Sequence, residues 1–189
     1  MEFSFSNIIN SIKELLVHPK SFWISKKENL YSKNKLLVLY FIPLIVVVAL
    51  AVFIGEFFRS PHFYTGFALL KSVRIIVLFL LQYFLGTFFT SELMKTFGGE
   101  KNIEIARNLV TYSLTPFVLV SAVTGLFPFL YVIDILGFYG FYIFWIGAKE
   151  LLVFPENKQS SYVLLTVVVN FFVFSFLSIT LTKLLTAYY

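Results

Sequence analysis

Five stretches of the chain, 36–55, 75–91, 108–133, 135–148 and 159–182, contain no Lys, Arg, Asp or Glu and are overwhelmingly apolar. A helix needs about 20 apolar residues to cross a hydrocarbon core about 30 Å thick, so four of the five are long enough alone or nearly so. The stretch at 135–148 is short, but 108–148 as a whole carries a single charge, Asp134, which leaves room for two crossings and a tight turn. The pattern predicts an all-α, polytopic integral membrane protein with a bundle of five transmembrane helices at about 36–57, 73–95, 106–128, 133–153 and 161–184. These make one membrane domain over 36–189, preceded by an N-terminal segment at 1–35.

That segment has a pattern of its own. Phe5, Ile8, Ile9, Ile12, Leu15 and Leu16 recur at helical spacing, opposite a face of Asn7, Asn10, Ser11, Lys13 and Glu14, with Ser6 placed to cap the helix and Pro19 beyond its end. Too short and too polar to cross, it reads either as an amphipathic helix lying in the headgroup region or as a helix packed on the ends of the bundle. Phe22 and Trp23 are expected to anchor at the interface, and Lys26, Lys27, Lys33 and Lys35 to face anionic lipid.

Composition agrees with this picture and charge orients it. The 189 residues are 59% hydrophobic and only 13% charged, against about 25% charged in soluble domains. A net charge of +5 on a soluble protein would suggest nucleic acid; here its distribution indicates membrane lipid instead. With five crossings, eleven Lys and Arg fall on the side of the N-terminus and four on the other. The positive-inside rule then makes the N-terminus cytoplasmic and the C-terminus external. The first long apolar run begins only at Leu36 and no small-residue cleavage site follows it, so a cleaved signal peptide is not expected.

Polar and small residues recur at helical spacing inside the spans: Gln82, Gly86 and Thr90 in the second, Thr111 and Thr115 in the third, Gly137, Gly140 and Gly147 in the fourth, Thr166 and Asn170 in the fifth. Such residues let helices approach and hydrogen-bond across the interface, for about 0.6 kcal/mol each. They read first as packing faces. The alternative is a polar path in which Gln82, Thr90, Thr111, Thr115 and Asn170 bind a solute in a small transporter or channel. Pro43 and Pro116 are expected to kink their helices, with Thr115 placed to satisfy a freed carbonyl.

Chemistry is sparse. The chain has no cysteine, and its two histidines, His18 and His62, fall on opposite sides of the membrane. Glu56, Glu92, Asp134 and Glu150 all lie at predicted helix ends, Asp134 as a cap of the fourth span and Glu56 within reach of Arg59 or Arg74. No phosphate loop, metal motif or nucleophile elbow is present. The chain is therefore expected to be no enzyme and to hold no cofactor or metal. Its expected partners are membrane lipids, with other membrane or cytoplasmic proteins and a second copy of the chain left open.

The most distinctive residues are Gly98-Gly99-Glu100-Lys101 after the second span and Tyr112-Ser113-Leu114-Thr115-Pro116 in the third. Phe97-Gly98-Gly99 after the second span is faintly echoed by Phe154-Pro155 after the fourth. With the early His18-Pro19-Lys20-Ser21-Phe22-Trp23 and the glycines Gly137, Gly140 and Gly147, these motifs resemble the Yip family, the Ypt-interacting multi-span membrane proteins. The resemblance implies five spans and a cytoplasmic N-terminus. Eukaryotic Yip proteins are associated with Rab GTPases and vesicle traffic and carry a longer N-terminal region with an Asp-Leu-Tyr-Gly-Pro-like motif. That motif is missing here, so the expectation is a compact prokaryotic-type member in a bacterial or archaeal cell membrane, the alternative being an endomembrane. Its expected role is to organise lipid or partner proteins without catalysis.

Overall fold

The structure, a computed structural model, describes residues 5–27, 33–59, 63–155 and 158–187. His62 lies outside them, as do the side chains of Phe5 and Lys33. The described residues are all-helical. Two short helices, α1 (Phe5–Val17) and α2 (Pro19–Lys27), precede α3 (Lys33–Leu36), which runs through a π-helical turn (Leu37–Phe41) into α4 (Ile42–Arg59). Then come α5 (Thr65–Thr96), α6 (Ile103–Leu126), a 3-10 stretch (Pro128–Phe138) continuous with α7 (Tyr139–Leu151), and α8 (Lys158–Ala187).

Five of these segments are long and apolar enough to cross a membrane: Leu37–Arg59, Thr65–Thr96, Ile103–Leu126, Pro128–Leu151 and Lys158–Ala187. The central one is α6, half buried along its most apolar window, whereas α8 at 17% is peripheral. The outward side chains are large and apolar, among them Leu50, Phe84, Leu164, Phe172 and Phe176. That is the arrangement expected when the solvent is lipid.

Close approach of the helices rests on glycine. On α7 and the stretch before it, a Cβ on Gly137 would lie 2.6 Å from the Phe117 ring, one on Gly140 2.1 Å from the Ser113 carbonyl oxygen, and one on Gly147 2.7 Å from Leu109. Their contacts on α6 fall at every fourth residue, so α7 descends one face of α6. Gly55 on α4 and Gly125 on α6 meet backbone to backbone in the same way.

Several expectations change. Helix α5 starts at Thr65 rather than near 73, which brings Lys71 into the helix with Arg74. At 1.5 Å per residue its 32 residues extend about 48 Å, well beyond the hydrocarbon. Charge-free runs mark the lipid-contacting part of a helix, not its ends. Asp134 does not cap the fourth span: it lies inside the 3-10 stretch, where its carboxylate accepts the Thr124 hydroxyl at 3.0 Å. Pro43 sits two residues after the π-helical turn, whose wide bond runs from the Ile42 amide to the Leu37 carbonyl. The Thr115 hydroxyl donates to the Thr111 carbonyl at 3.2 Å rather than to that of Tyr112, which Pro116 deprives of its helical donor.

For the N-terminal helix, the second of the two readings, packing on the bundle, is the one observed. Leu15 is fully buried and Ile8 nearly so, with Ile12 and Leu16 packed beside them, so α1 docks on the bundle. Phe22 and Trp23 are not interfacial anchors; both are buried, because α2 packs along α7.

Candidate functional site

Three groups of polar or motif residues are brought together, at three levels of the bundle. The first surrounds Trp23. Its indole N–H donates to the Ile143 carbonyl at 3.1 Å, and its ring meets Phe22 and Tyr112 edge to face at 5.6 and 5.5 Å. Space for that ring exists because residue 147 is glycine: a Cβ there would stand 2.5 Å from the indole. Tyr40 closes the cluster against Tyr112, and its hydroxyl shares a 3.0 Å hydrogen bond with Thr115. Three of the four segments singled out in the sequence, around Trp23, Tyr112 and Gly147, therefore form one aromatic core. The fourth, Gly98-Gly99, makes the turn after α5, with Gly98 at φ +84°, a conformation that favours glycine. Gly99 packs under the ring of Phe154, and Phe97 and Phe154 both lie against Tyr162, so the two echoed loops touch.

Docking through Trp23 fixes which way the N-terminal lysines point. Lys13, Lys20, Lys27 and Lys35 are exposed, while Lys26 lies 5.4 Å from the centre of the Phe22 ring. The Lys95, Lys101, Arg107, Lys149 and Lys158 positions belong to the same end of the bundle by chain direction. Lys101 also pairs with Glu92 across the Gly98-Gly99 turn.

The second group lies within the membrane, between α5 and α8. The Gln82 amide donates to the Asn170 carbonyl at 3.2 Å and to its side-chain oxygen at 3.3 Å. The Asn170 amide donates to the Thr90 hydroxyl at 3.2 Å and the Thr166 carbonyl at 2.9 Å. Gly86 makes room for it, since a Cβ there would be 2.5 Å from Asn170 Oδ1. Three of the five residues of the expected polar path are thus together. Thr111 and Thr115 are not with them: Thr115 faces Tyr40 at the first span. Ser113, on the other side of α6, takes their place beside Gln82 in a cavity of about 40 Å³ lined otherwise mostly by Val, Leu and Phe side chains. That is room for about one or two waters.

The third group was not anticipated. At the opposite end of the bundle a cavity of about 820 Å³ opens between α4, α5, α6, the 3-10 stretch and α8. Lys71 donates to both Glu56 oxygens, at 2.8 and 2.6 Å, and Arg59 pairs with Glu56 at 3.0 Å. Of the two partners expected for Glu56, Arg59 is the one found, and Arg74 donates to the Thr182 hydroxyl at 2.6 Å. The signal that could have located this site is the spacing of Lys71, Arg74, Ile75 and Leu78, which sets two cations and two apolar residues on one helical face.

The family model of the Yip1 domain matches residues 13–177. The chain belongs to the Yip1-domain family. Its members are non-enzymatic membrane proteins, and this Yip1-domain protein is a multi-span one. The match takes in the Trp23 cluster, the Gly98-Gly99 turn and the Gln82–Asn170 contact. A comparison with the curated proteins gives no match, and neither does one with the solved structures.

Proposed function

We propose that this Yip1-domain protein organises membrane lipid, and through it partner proteins, from a basic face built by α1 and α2. The observation that carries the reading is the docking of Trp23 between Tyr112, Ile143 and Gly147. It holds two otherwise marginal helices against the bundle and turns Lys13, Lys20 and Lys27 outward. A Lys near an anionic surface contributes about 1 kcal/mol, so three or four such residues at a fixed height make a site of useful strength. The excess of Lys and Arg at this end, eleven against four, supports a cytoplasmic placement. A transport role is supported less well. Gln82, Thr90 and Asn170 bond to one another, Gln82 Oε1 is left without a partner beside a cavity with room for about one or two waters, and Thr115 faces Tyr40 instead.

The test changes Lys13, Lys20, Lys27 and Lys35 together to Glu and measures the anionic lipid that accompanies the purified protein and the proteins it captures. The expected result is a folded protein that loses anionic lipid from this end and loses its captured partners. An unchanged lipid content and partner set would remove the reading's support.

A further inference from the structure

The cavity at the other end of the bundle has two unlike halves. Its mouth carries Arg59, Lys71 and Arg74 against Glu56 and Asp134, an excess of one positive charge. Its floor is apolar, formed by Ile75, Leu78, Phe117 and Phe174. Glu56 is already held by Arg59 and Lys71, and Asp134 accepts from Thr124. Arg74 is partly buried, and among the described residues it makes no ion pair, only the bond to Thr182. Its guanidinium retains donors in the geometry that phosphate takes up.

Height and access complete the argument. Arg74 is 21 residues before Lys95 on α5, about 32 Å along the axis. With Lys95 at one surface of a core about 30 Å thick, Arg74 lies at the headgroup level of the other, and the floor residues lie at acyl depth. Along the seam between the 3-10 stretch and α8, Phe138 meets Phe171 at 5.9 Å between centroids, with Ile135 and Ile179 also lining the cavity. All four line the cavity and are also exposed on the outer surface.

We infer that this cavity is a binding site for an anionic phospholipid of the adjacent leaflet, its phosphate held by Arg74 beside Lys71 and an acyl chain laid over Ile75, Leu78 and Phe174 through the Phe138–Phe171 seam. A lipid with one net negative charge balances the excess at the mouth, and it needs no vertical displacement to enter.

The experiment is native mass spectrometry of the full chain released from micelles containing phosphatidylglycerol or phosphatidylcholine. Wild type should retain one phosphatidylglycerol about tenfold more strongly than phosphatidylcholine, a lipid that survives charge reversal of the N-terminal lysines. Arg74→Gln should weaken retention about tenfold or more, the range for a lost charge-assisted bond. Ser178→Trp, which fills the cavity without altering its charge, should do the same, while Lys27→Gln should not. Inorganic phosphate at millimolar concentration should fail to displace the lipid; displacement would mean a site for free phosphate. Equal retention of the two lipids by wild type, or undiminished retention by a folded Arg74→Gln, would overturn the inference. Neither outcome bears on the basic face at the other end.

Discussion

Trp23 shows how much a single residue can decide. It is fully buried although it belongs to a nine-residue helix whose neighbours are Lys20, Lys26 and Lys27. A helix of that length is not stable alone in water, so α2 exists because its aromatic side chains are buried. Two substitutions separate the contributions. Trp23→Phe keeps most of the ring packing and loses the bond to Ile143, an expected cost of about 1 kcal/mol. Trp23→Ala also leaves a cavity against Gly147 and Tyr112 and is expected to cost about 3–5 kcal/mol. Thermal unfolding in one detergent measures both. A near-neutral Trp23→Ala would mean that α2 rests on the bundle without being held by it.

At the scale of elements, the α6–α7 pair is the most constrained contact. Gly140→Ala would place a methyl carbon 2.1 Å from the Ser113 carbonyl oxygen, a backbone atom that cannot rotate away. The two helices must separate, and overpacking of this kind costs about 1–3 kcal/mol. Reduced thermal stability with an unchanged helix content by circular dichroism is the expected result; no loss would mean that α7 slides freely on α6. The glycines of this contact are legible in the sequence, as are the five spans, because lipid demands long apolar helices and close packing demands small residues. Other elements were hidden for equally physical reasons. Lys71 fell outside the expected span because a helix leaving the bilayer looks, in composition, like a connector. Helix α2 read as an interfacial anchor because its burial depends on Gly147, more than a hundred residues away. The polar path was legible only by residue type: spacing on α6 could not say that Thr115 turns toward Tyr40 while Ser113 lines the cavity beside Gln82.

For the molecule as a whole, orientation links both ends to function. The basic N-terminal face and the Arg74 cavity lie at opposite ends of helices that cross the membrane, so they meet different leaflets whichever way the protein is inserted. The proposed orientation, with the N-terminal face in the cytoplasm, follows the positive-inside rule, since eleven of the fifteen Lys and Arg fall on the side of that face. The chain has no cysteine, so single cysteines can be introduced without background. Lys27→Cys and Tyr131→Cys are suitable, both exposed and at opposite ends of the bundle. In intact cells a membrane-impermeant maleimide should label residue 131 and not 27, and permeabilised cells should label both. Labelling of residue 27 alone in intact cells would invert the protein, placing the lysines of α1 and α2 outside and the Arg74 cavity on the cytoplasmic leaflet. Labelling of both in intact cells would mean that one of the three segments between them, Leu37–Arg59, Thr65–Thr96 or Ile103–Leu126, does not cross.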